Sequence, residues 1–271
     1  MRLHCYENPN NAIKLMRHDM KNKIFSTDSA KAKKAGNFGY FNGIHYMAPA
    51  STSGFNLCSH ASPECIASCL GWFSGQASMV LDLENDLNNV RKSRIQKAQR
   101  FMKDRKGYMR DVVKSIKLLI NEAHREGLLP CIRLNGSTDI AWEGIACDFD
   151  GVPYKNVFEA FPGVQFVDYT KNHLRLKRAL PANYCLTLSF SGRNMPQCLD
   201  ALKAGHNVAI IFDALPATYH GFEVIDGDLH DLRHLDKKGV IVGLKPKGAK
   251  AKNDNSSFIV RNVTEIRTSA A

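Results

Sequence analysis

The chain has 271 residues, of which 44% are hydrophobic and 23% charged, so it can bury a sizeable core as one larger domain. Its 37 lysines and arginines against 26 acidic residues give a formal net charge of +11, which favours anionic partners such as nucleic acid, nucleotides or phosphorylated metabolites. No run approaches the roughly 20 apolar residues of a membrane-spanning helix, and the first residues lack the apolar run of a signal peptide. We therefore expect a cytoplasmic protein with no membrane partner.

The first 37 residues are polar and basic, with Lys31, Lys33 and Lys34 just before Gly36. This composition predicts an amino-terminal appendage over 1–37 and a single α/β domain over 38–271. Between residues 38 and 48, aromatic and β-branched residues indicate a strand that ends at Pro49. A loop that contains several cysteines follows this strand.

Residues 78–126 are predicted to form a helical insertion. Apolar residues recur there at helical spacing, which indicates two helices that are broken near Gly107. The spacing is carried by Val112, Ile116, Leu119, Ile120 and Ala123.

Short apolar runs follow Gly127 at intervals of about 20 to 33 residues, the scale of βαβ units. Together with the first strand they predict about six strands in a mostly parallel sheet, which is open or closed into a full or partial barrel. Two late runs, Glu223–Ile225 and Phe258–Val260, are further strand candidates. The five main runs are Cys131–Leu134, Val164–Val167, Cys185–Leu188, Val208–Phe212 and Val240–Leu244.

Polar side chains follow these runs, at the ends where parallel α/β folds bind ligands. Candidates for catalysis or for binding an anionic substrate are Asp168, Lys171, Lys245 and Lys247. The lysine-rich loop over 245–254 can track a phosphate backbone, although such loops are commonly only solvated. A cluster of acidic residues and histidines over residues 226–236 includes His230 and His234. We interpret it as a solvated acidic turn in preference to a metal site.

The strongest chemical signal is the trio Cys58, Cys65 and Cys69, because thiolates suit iron–sulfur clusters and zinc. Three thiolates would leave one iron of a [4Fe–4S] cluster open to a substrate or cofactor, whereas a structural zinc ion normally has four protein ligands. His60 or Glu64 could complete a zinc site. Three unliganded, packed thiols are the remaining alternative.

Several segments together resemble the bacteriophage gene-product-88 family, over roughly residues 38 to 262. This resemblance implies a phage-encoded protein that works in the cytoplasm of an infected bacterium. It is carried by the three cysteines and by the segments Ser53–Cys58, Arg133–Glu143, Asp168–Lys171, Asn183–Ser189 and Gly243–Lys245.

The order of these loops is more distantly similar to that of radical S-adenosylmethionine enzymes. That similarity implies a partial (β/α)6 barrel, a [4Fe–4S] cluster on the three cysteines, and two groups of cofactor-binding residues. The helical insertion over 78–126, which separates the first two strands, is a departure from it. The cysteine spacing, six and then three intervening residues, differs from the usual three and then two of those enzymes. By this similarity Asn135, Gly136, Ser137 and Asp139 would hold the methionine end of the cofactor, and Ser189, Ser191 and Asn194 its ribose.

Two functions from different classes remain open at this point. The first is a radical-S-adenosylmethionine-like enzyme that acts on a nucleotide or nucleic acid and takes its electron from a host donor. The second is a nucleic-acid-binding protein or nuclease stabilised by an iron–sulfur cluster or by zinc. The carboxylates that a nuclease could use at the strand ends are Asp139, Glu143, Asp168 and Asp213.

Overall fold

The computed structural model describes residues 24–263, which form a mixed α/β fold around a mostly parallel central sheet. The strands are β1 (Phe25–Ser26), β2 (Tyr40–His45), β3 (Leu129–Arg133), β4 (Cys147–Phe149), β5 (Val152–Tyr154), β6 (Gln165–Thr170), β7 (Tyr184–Ser189), β8 (Val208–Phe212), β9 (Thr218–Tyr219), β10 (Phe222–Asp226), β11 (Ile241–Leu244) and β12 (Ile259–Val260). The helices are α1 (Ala30–Lys34), α2 (Pro63–Ala67), α3 (Leu70–Phe73), α4 (Asn89–Lys103), α5 (Arg105–Arg125), α6 (Val157–Ala160), α7 (Met195–Lys203) and α8 (Gly248–Lys252).

The central sheet has the strand order β1-β2-β3-β6-β7-β8-β11-β10-β9, and β12 pairs with β8. From β2 to β10 all neighbours in this order are parallel, whereas β1 and β9 are antiparallel to their neighbours. The mostly parallel sheet predicted from the apolar runs is therefore confirmed. The predicted first strand and the five main runs each overlap a strand of the structure. The short hairpin of β4 and β5 lies outside this sheet and was not predicted.

The described part of the amino-terminal segment packs against the sheet. Strand β1 pairs with β2, and the side chains of Phe25 and Ala35 are buried. Ser29 caps α1 by accepting a hydrogen bond from the backbone N–H of Ala32 at 3.1 Å. Residues 24–37 thus belong to the folded domain and do not stand apart from it, while the rest of the predicted appendage lies outside the described residues.

The helical insertion consists of α4 and α5, which begin at Asn89 and end at Arg125. The break lies at Asp104, three residues before the predicted position. The Asp104 carboxylate caps α5 by accepting a hydrogen bond from Gly107 N at 2.9 Å. A Cβ atom on Gly107 would lie only 2.0 Å from that carboxylate, so the cap needs glycine there.

Residues 79–88, also predicted as helical, form a loop that is held by Arg91. The buried guanidinium donates hydrogen bonds to four backbone carbonyl groups and lies 4.6 Å from the centre of the Trp72 ring. Its acceptors are the carbonyl groups of Trp72, Ala77, Leu83 and Asp86, at 2.7–3.1 Å.

The two faces of the sheet are covered differently. Helix α5 packs against β2 and β3 on one face, where Ile116 and Ile132 share the main hydrophobic core. On the other face, Leu232 packs against Cys131 and Val167. The segment between β10 and β11, residues 227–240, therefore covers part of this second face, and the interpretation of its central residues as a solvated turn is wrong.

Candidate functional site

A cavity of about 190 Å³ lies at the carboxyl ends of the parallel strands. Residues from the ends of β3, β6, β7, β8 and β11 line it, together with the loop that follows β2. The three cysteines Cys58, Cys65 and Cys69 all line this cavity and are all half-buried. The strand-end site predicted from the sequence is thus one continuous cavity.

Two short helices position the cysteines. Ser62 caps α2 by accepting a hydrogen bond from Cys65 N at 3.1 Å, and Pro63 occupies the first helical position, where its missing N–H costs nothing. Cys69 then stands at the N-cap position of α3. These two consecutive short helices bring Cys65 and Cys69 to the same cavity as Cys58.

Burial raises the pKa of Cys58 to about 11 and that of Cys69 to about 12. The Cys58 sulfur also accepts a hydrogen bond from Ala50 N at 3.3 Å, and its thiol lies 3.8 Å from the carbonyl oxygen of Ser137. Both thiols are therefore protonated at neutral pH in the metal-free protein. Binding of a metal to these sulfurs must release protons, because the thiolate is the ligand form.

Lys171 is a cation that interacts with all three thiols. Its ammonium group lies 3.2 Å from the Ser189 hydroxyl and contacts Cys65. Burial alone would lower the pKa of this lysine, but the neighbouring Cys65 and Asp139 outweigh burial and raise it. Lys171 is thus a fixed positive charge beside the sulfur atoms.

Within residues 24–263, no three His, Cys, Asp or Glu side chains are arranged to hold a single metal ion. His60 is exposed and bonds to Ser59, while Glu64 receives hydrogen bonds from the Arg193 guanidinium at 2.9 and 3.0 Å. Neither side chain lines the cavity, so neither supplies the fourth ligand of a tetrahedral zinc site. A [4Fe–4S] cluster needs a different arrangement of cysteines, because each thiolate binds a separate iron and the sulfur atoms do not converge on one metal ion.

Asn135 is the centre of a buried hydrogen-bond network. Its side-chain oxygen accepts from Thr138, Ile140 N and Trp142 Nε1, at 2.9–3.1 Å. Its amide nitrogen donates to the Asp168 carboxylate at 3.2 Å, and its backbone N–H donates to the same carboxylate at 2.7 Å. The predicted cofactor ligand Asn135 and the predicted catalytic residue Asp168 therefore hold the loop after β3 in place.

Asp168 does not line the cavity and is fully buried. Burial raises its pKa to about 7, against the opposing effect of the hydrogen bond from Asn135. The oxygen that accepts from the Asn135 side-chain amide also accepts from the Tyr184 hydroxyl, at 3.1 Å.

Arg175 anchors the acidic residues of the same loop. Its guanidinium donates two hydrogen bonds to the Glu143 carboxylate, at 2.8 and 2.7 Å, and a third to Asp139 at 3.0 Å. The other oxygen of Asp139 accepts from Lys171 N at 2.8 Å. Asp139 lines the cavity, as predicted, but both of its oxygens already have a protein partner.

Gly136 and Ser137 line the cavity as predicted. The N–H of Gly136 donates to the carbonyl oxygen of His45 at 2.9 Å, and a Cβ atom on Gly136 would lie 2.5 Å from that oxygen. The Ser137 hydroxyl donates to the carbonyl oxygen of Met47 at 2.5 Å. Glycine thus lets the loop after β3 approach β2 closely enough to place Ser137 beside Cys58.

A family model described as gene product 88 matches residues 15–262. The chain belongs to the gene product 88 family. Searches of curated proteins and of solved structures found no match. The matched range of this phage gene product 88 protein includes the three cysteines and every strand of the central sheet.

The structure places the remaining predicted residues of the gene product 88 protein in two groups. Ser189, Lys245 and Lys247 line the cavity, and Lys247 forms an ion pair with Asp228 at 2.5 Å. Ser191 and Asn194 do not line it, because the Ser191 hydroxyl and backbone N–H both donate to the Asn194 side-chain oxygen, at 2.9 and 2.7 Å.

The cavity residues that sequence reasoning did not single out include three with polar side chains: Arg133, Tyr169 and Asp231. Arg133 falls within a predicted strand, where alternation alone does not show which face carries a ligand, and Tyr169 lies just after one. Asp231 lies in the segment that was interpreted as a solvated turn. In the described part of the gene product 88 protein, no helix has the length and apolar character of a membrane span.

Proposed function

We propose that this gene product 88 protein is an iron–sulfur enzyme of the radical-S-adenosylmethionine type that acts on a nucleotide or nucleic acid. The observation that carries the proposal is the presence of three cysteines on the wall of one strand-end cavity, with no fourth among the cavity-lining residues that the structure describes. Cys58, Cys65 and Cys69 would hold three irons of a [4Fe–4S] cluster, and the fourth iron would remain open.

The sheet supports the same proposal. Strands β2, β3, β6, β7 and β8 lie side by side in chain order, all parallel, and β11 follows them. A partial (β/α)6 barrel would require six parallel strands in such a succession, and the cysteine loop follows the first strand of the series. In parallel α/β folds the ligand site lies at the carboxyl ends of the strands, where this cavity is.

When bound, an open-site cluster supplies an electron that cleaves the sulfonium of S-adenosylmethionine. The chain's own residues do the positioning. Lys171 lies beside the thiols as a counter-charge for thiolates, and Ser137 and Ser189 offer hydroxyl oxygens to a polar ligand. The apolar wall, which includes Ile211 and Phe258, would exclude water from the reacting centre.

As a phage protein it is proposed to act in the cytoplasm of the infected bacterium, with a host protein as electron donor. The nuclease alternative finds less support in the geometry. Arg175 engages both Asp139 and Glu143, and Asp168 is buried outside the cavity. Two-metal hydrolysis needs convergent carboxylates that are free to bind cations. These three are already paired within the protein, and the fourth candidate, Asp213, is exposed and does not line the cavity.

The test uses full-length protein purified without oxygen. We would measure iron, sulfide and zinc, and record the electron paramagnetic resonance spectrum of the reduced protein before and after adding S-adenosylmethionine. About four irons per chain, with a spectrum that the cofactor changes, are expected.

The triple variant Cys58→Ala, Cys65→Ala, Cys69→Ala should lose this iron and remain folded. The control, Cys185→Ala, removes a thiol outside the cavity and should keep it. Zinc without iron, or a cluster indifferent to the cofactor, would refute the proposal and favour a metal-stabilised nucleic-acid-binding protein.

A further inference from the structure

Arg133 is the last residue of β3, and its side chain forms part of the cavity wall. Three contacts fix its guanidinium. Nε donates to the carbonyl oxygen of Asn135 at 3.2 Å, Nη1 donates to the Asp231 carboxylate at 3.3 Å, and the group lies 4.6 Å from the centre of the Tyr169 ring. Because the side chain is already ordered, a ligand that binds it does not have to restrict its rotamers.

One nitrogen of this guanidinium remains available. Among residues 24–263, Nη2 of Arg133 has no hydrogen-bond partner, and it is not one of the fully buried atoms that lack one. The side chain keeps 19% of its surface exposed, and Arg133 lines the cavity. A held guanidinium with free N–H groups is suited to a planar carboxylate or to a phosphate.

The charges of the cavity favour an anion. Four cationic side chains line it against two carboxylates, and one of these, Asp139, is already bound by Arg175. The cations are Arg133, Lys171, Lys245 and Lys247. Four apolar side chains also line the cavity: Leu70, Ile211, Leu244 and Phe258. Such a cavity fits a molecule with an apolar ring body and an anionic group.

Asp231 stabilises the charge of Arg133. Burial would lower the pKa of Arg133, but the neighbouring Asp231 carboxylate outweighs burial and raises the pKa. Arg133 is therefore a cation that a ligand in the cavity meets in its charged form.

We propose that Arg133 forms the anion-binding end of a ligand subsite in this cavity, and that its ligand is a ring-bearing molecule with one phosphate or carboxylate group. The inference deepens the proposed function, since it names the substrate class for the same cavity. Its test does not require a metal, so the two can fail separately.

The experiment is isothermal titration calorimetry on the full chain with two matched pairs of probes. Adenosine monophosphate against adenosine tests the phosphate, and benzoate against benzamide tests the carboxylate. Arg133→Gln removes the charge, and Arg133→Lys keeps the charge and its partner Asp231 but loses the forked geometry. The control, Arg100→Gln, removes a half-exposed surface arginine that is paired with Asp111.

We expect the anionic member of at least one pair to bind at least tenfold more tightly than its neutral partner. Arg133→Gln should abolish that preference, Arg133→Lys should reduce it, and Arg100→Gln should leave it unchanged. Because Arg133→Gln removes the ion-pair partner of the buried Asp231, Arg133→Lys decides the result if the first variant does not fold. Equal affinity in wild type and Arg133→Lys, or no preference for either anion in wild type, would overturn the subsite. Iron content decides the proposed function independently.

Discussion

Replacement of Asn135 by alanine should destabilise the whole domain. The change removes the acceptor of Trp142 Nε1 and of Ile140 N, which bond to Asn135 at 3.1 and 2.9 Å. A buried donor left without a partner costs about 1–3 kcal/mol, so two such groups predict a loss of about 2–6 kcal/mol. That is a large part of the roughly 5–15 kcal/mol by which a domain is stable.

Urea unfolding followed by tryptophan fluorescence measures this loss directly, because Trp142 is one of only two tryptophans and is itself part of the network. The control is Asn121→Ala, at an exposed position on α5, which should change the free energy of unfolding by no more than about 0.5 kcal/mol. If Asn135→Ala costs less than about 1 kcal/mol, the network does not hold the loop, and the interpretation of Asn135 as a structural residue is wrong.

Three further outcomes are expected. The pKa of Asp168 is raised to about 7 in the folded protein and is near 3.9 in the unfolded chain, so the free energy of unfolding should fall by up to about 4 kcal/mol as the pH rises from 4 to 7. Asp168→Asn should remove this pH dependence, as measured by urea unfolding at each pH. Equal pH dependence in the wild type and the variant would contradict the prediction. Gly71→Ala places a Cβ atom 2.4 Å from Ser137 Cβ, so it should lower the free energy of unfolding by about 1–3 kcal/mol and weaken metal binding. The control, Gly144→Ala, adds its Cβ atom in open space and should change neither. Arg91→Lys removes carbonyl contacts and should expose residues 79–87 to limited chymotrypsin digestion, and an unchanged cleavage pattern would show that the loop does not depend on the guanidinium.

Much of the fold could be predicted because its signals are local. The strand at Val208–Phe212 is a continuous apolar run with the bounds that the structure shows, and all of its residues are buried. The apolar spacing of Val112 and Ile116 likewise located α5. The exact break between α4 and α5 was harder, because glycine was taken as the helix breaker when it actually allows Asp104 to cap the next helix.

The sequence located the candidate site but did not predict which of its side chains are free to bind a ligand. Three cysteines close together in sequence identified the loop, and the strand ends identified the edge of the sheet. Which polar side chains remain free depends on partners far away in sequence: Arg175 lies 36 residues from Asp139, and Arg133 lies 98 residues from Asp231. Such pairs leave no local pattern, so the sequence could not show that Asn135, which lines the cavity, and Asp168, which does not, are hydrogen-bonded to each other.

The contacts of the cysteine loop also set an order of events during synthesis. The hydroxyl of Ser62 donates to the carbonyl oxygen of Ser191 at 2.5 Å, and that of Ser68 donates to the Asp254 carboxylate. Asp254 follows Ser68 by 186 residues, so at about 5–20 residues per second the ribosome needs about 10–40 s to deliver this partner. Ser191, the partner of Ser62, is made earlier than Asp254. The cysteines are therefore among the first groups of the cavity to be made, whereas this last contact of their loop can form only once nearly all of the domain has left the ribosome.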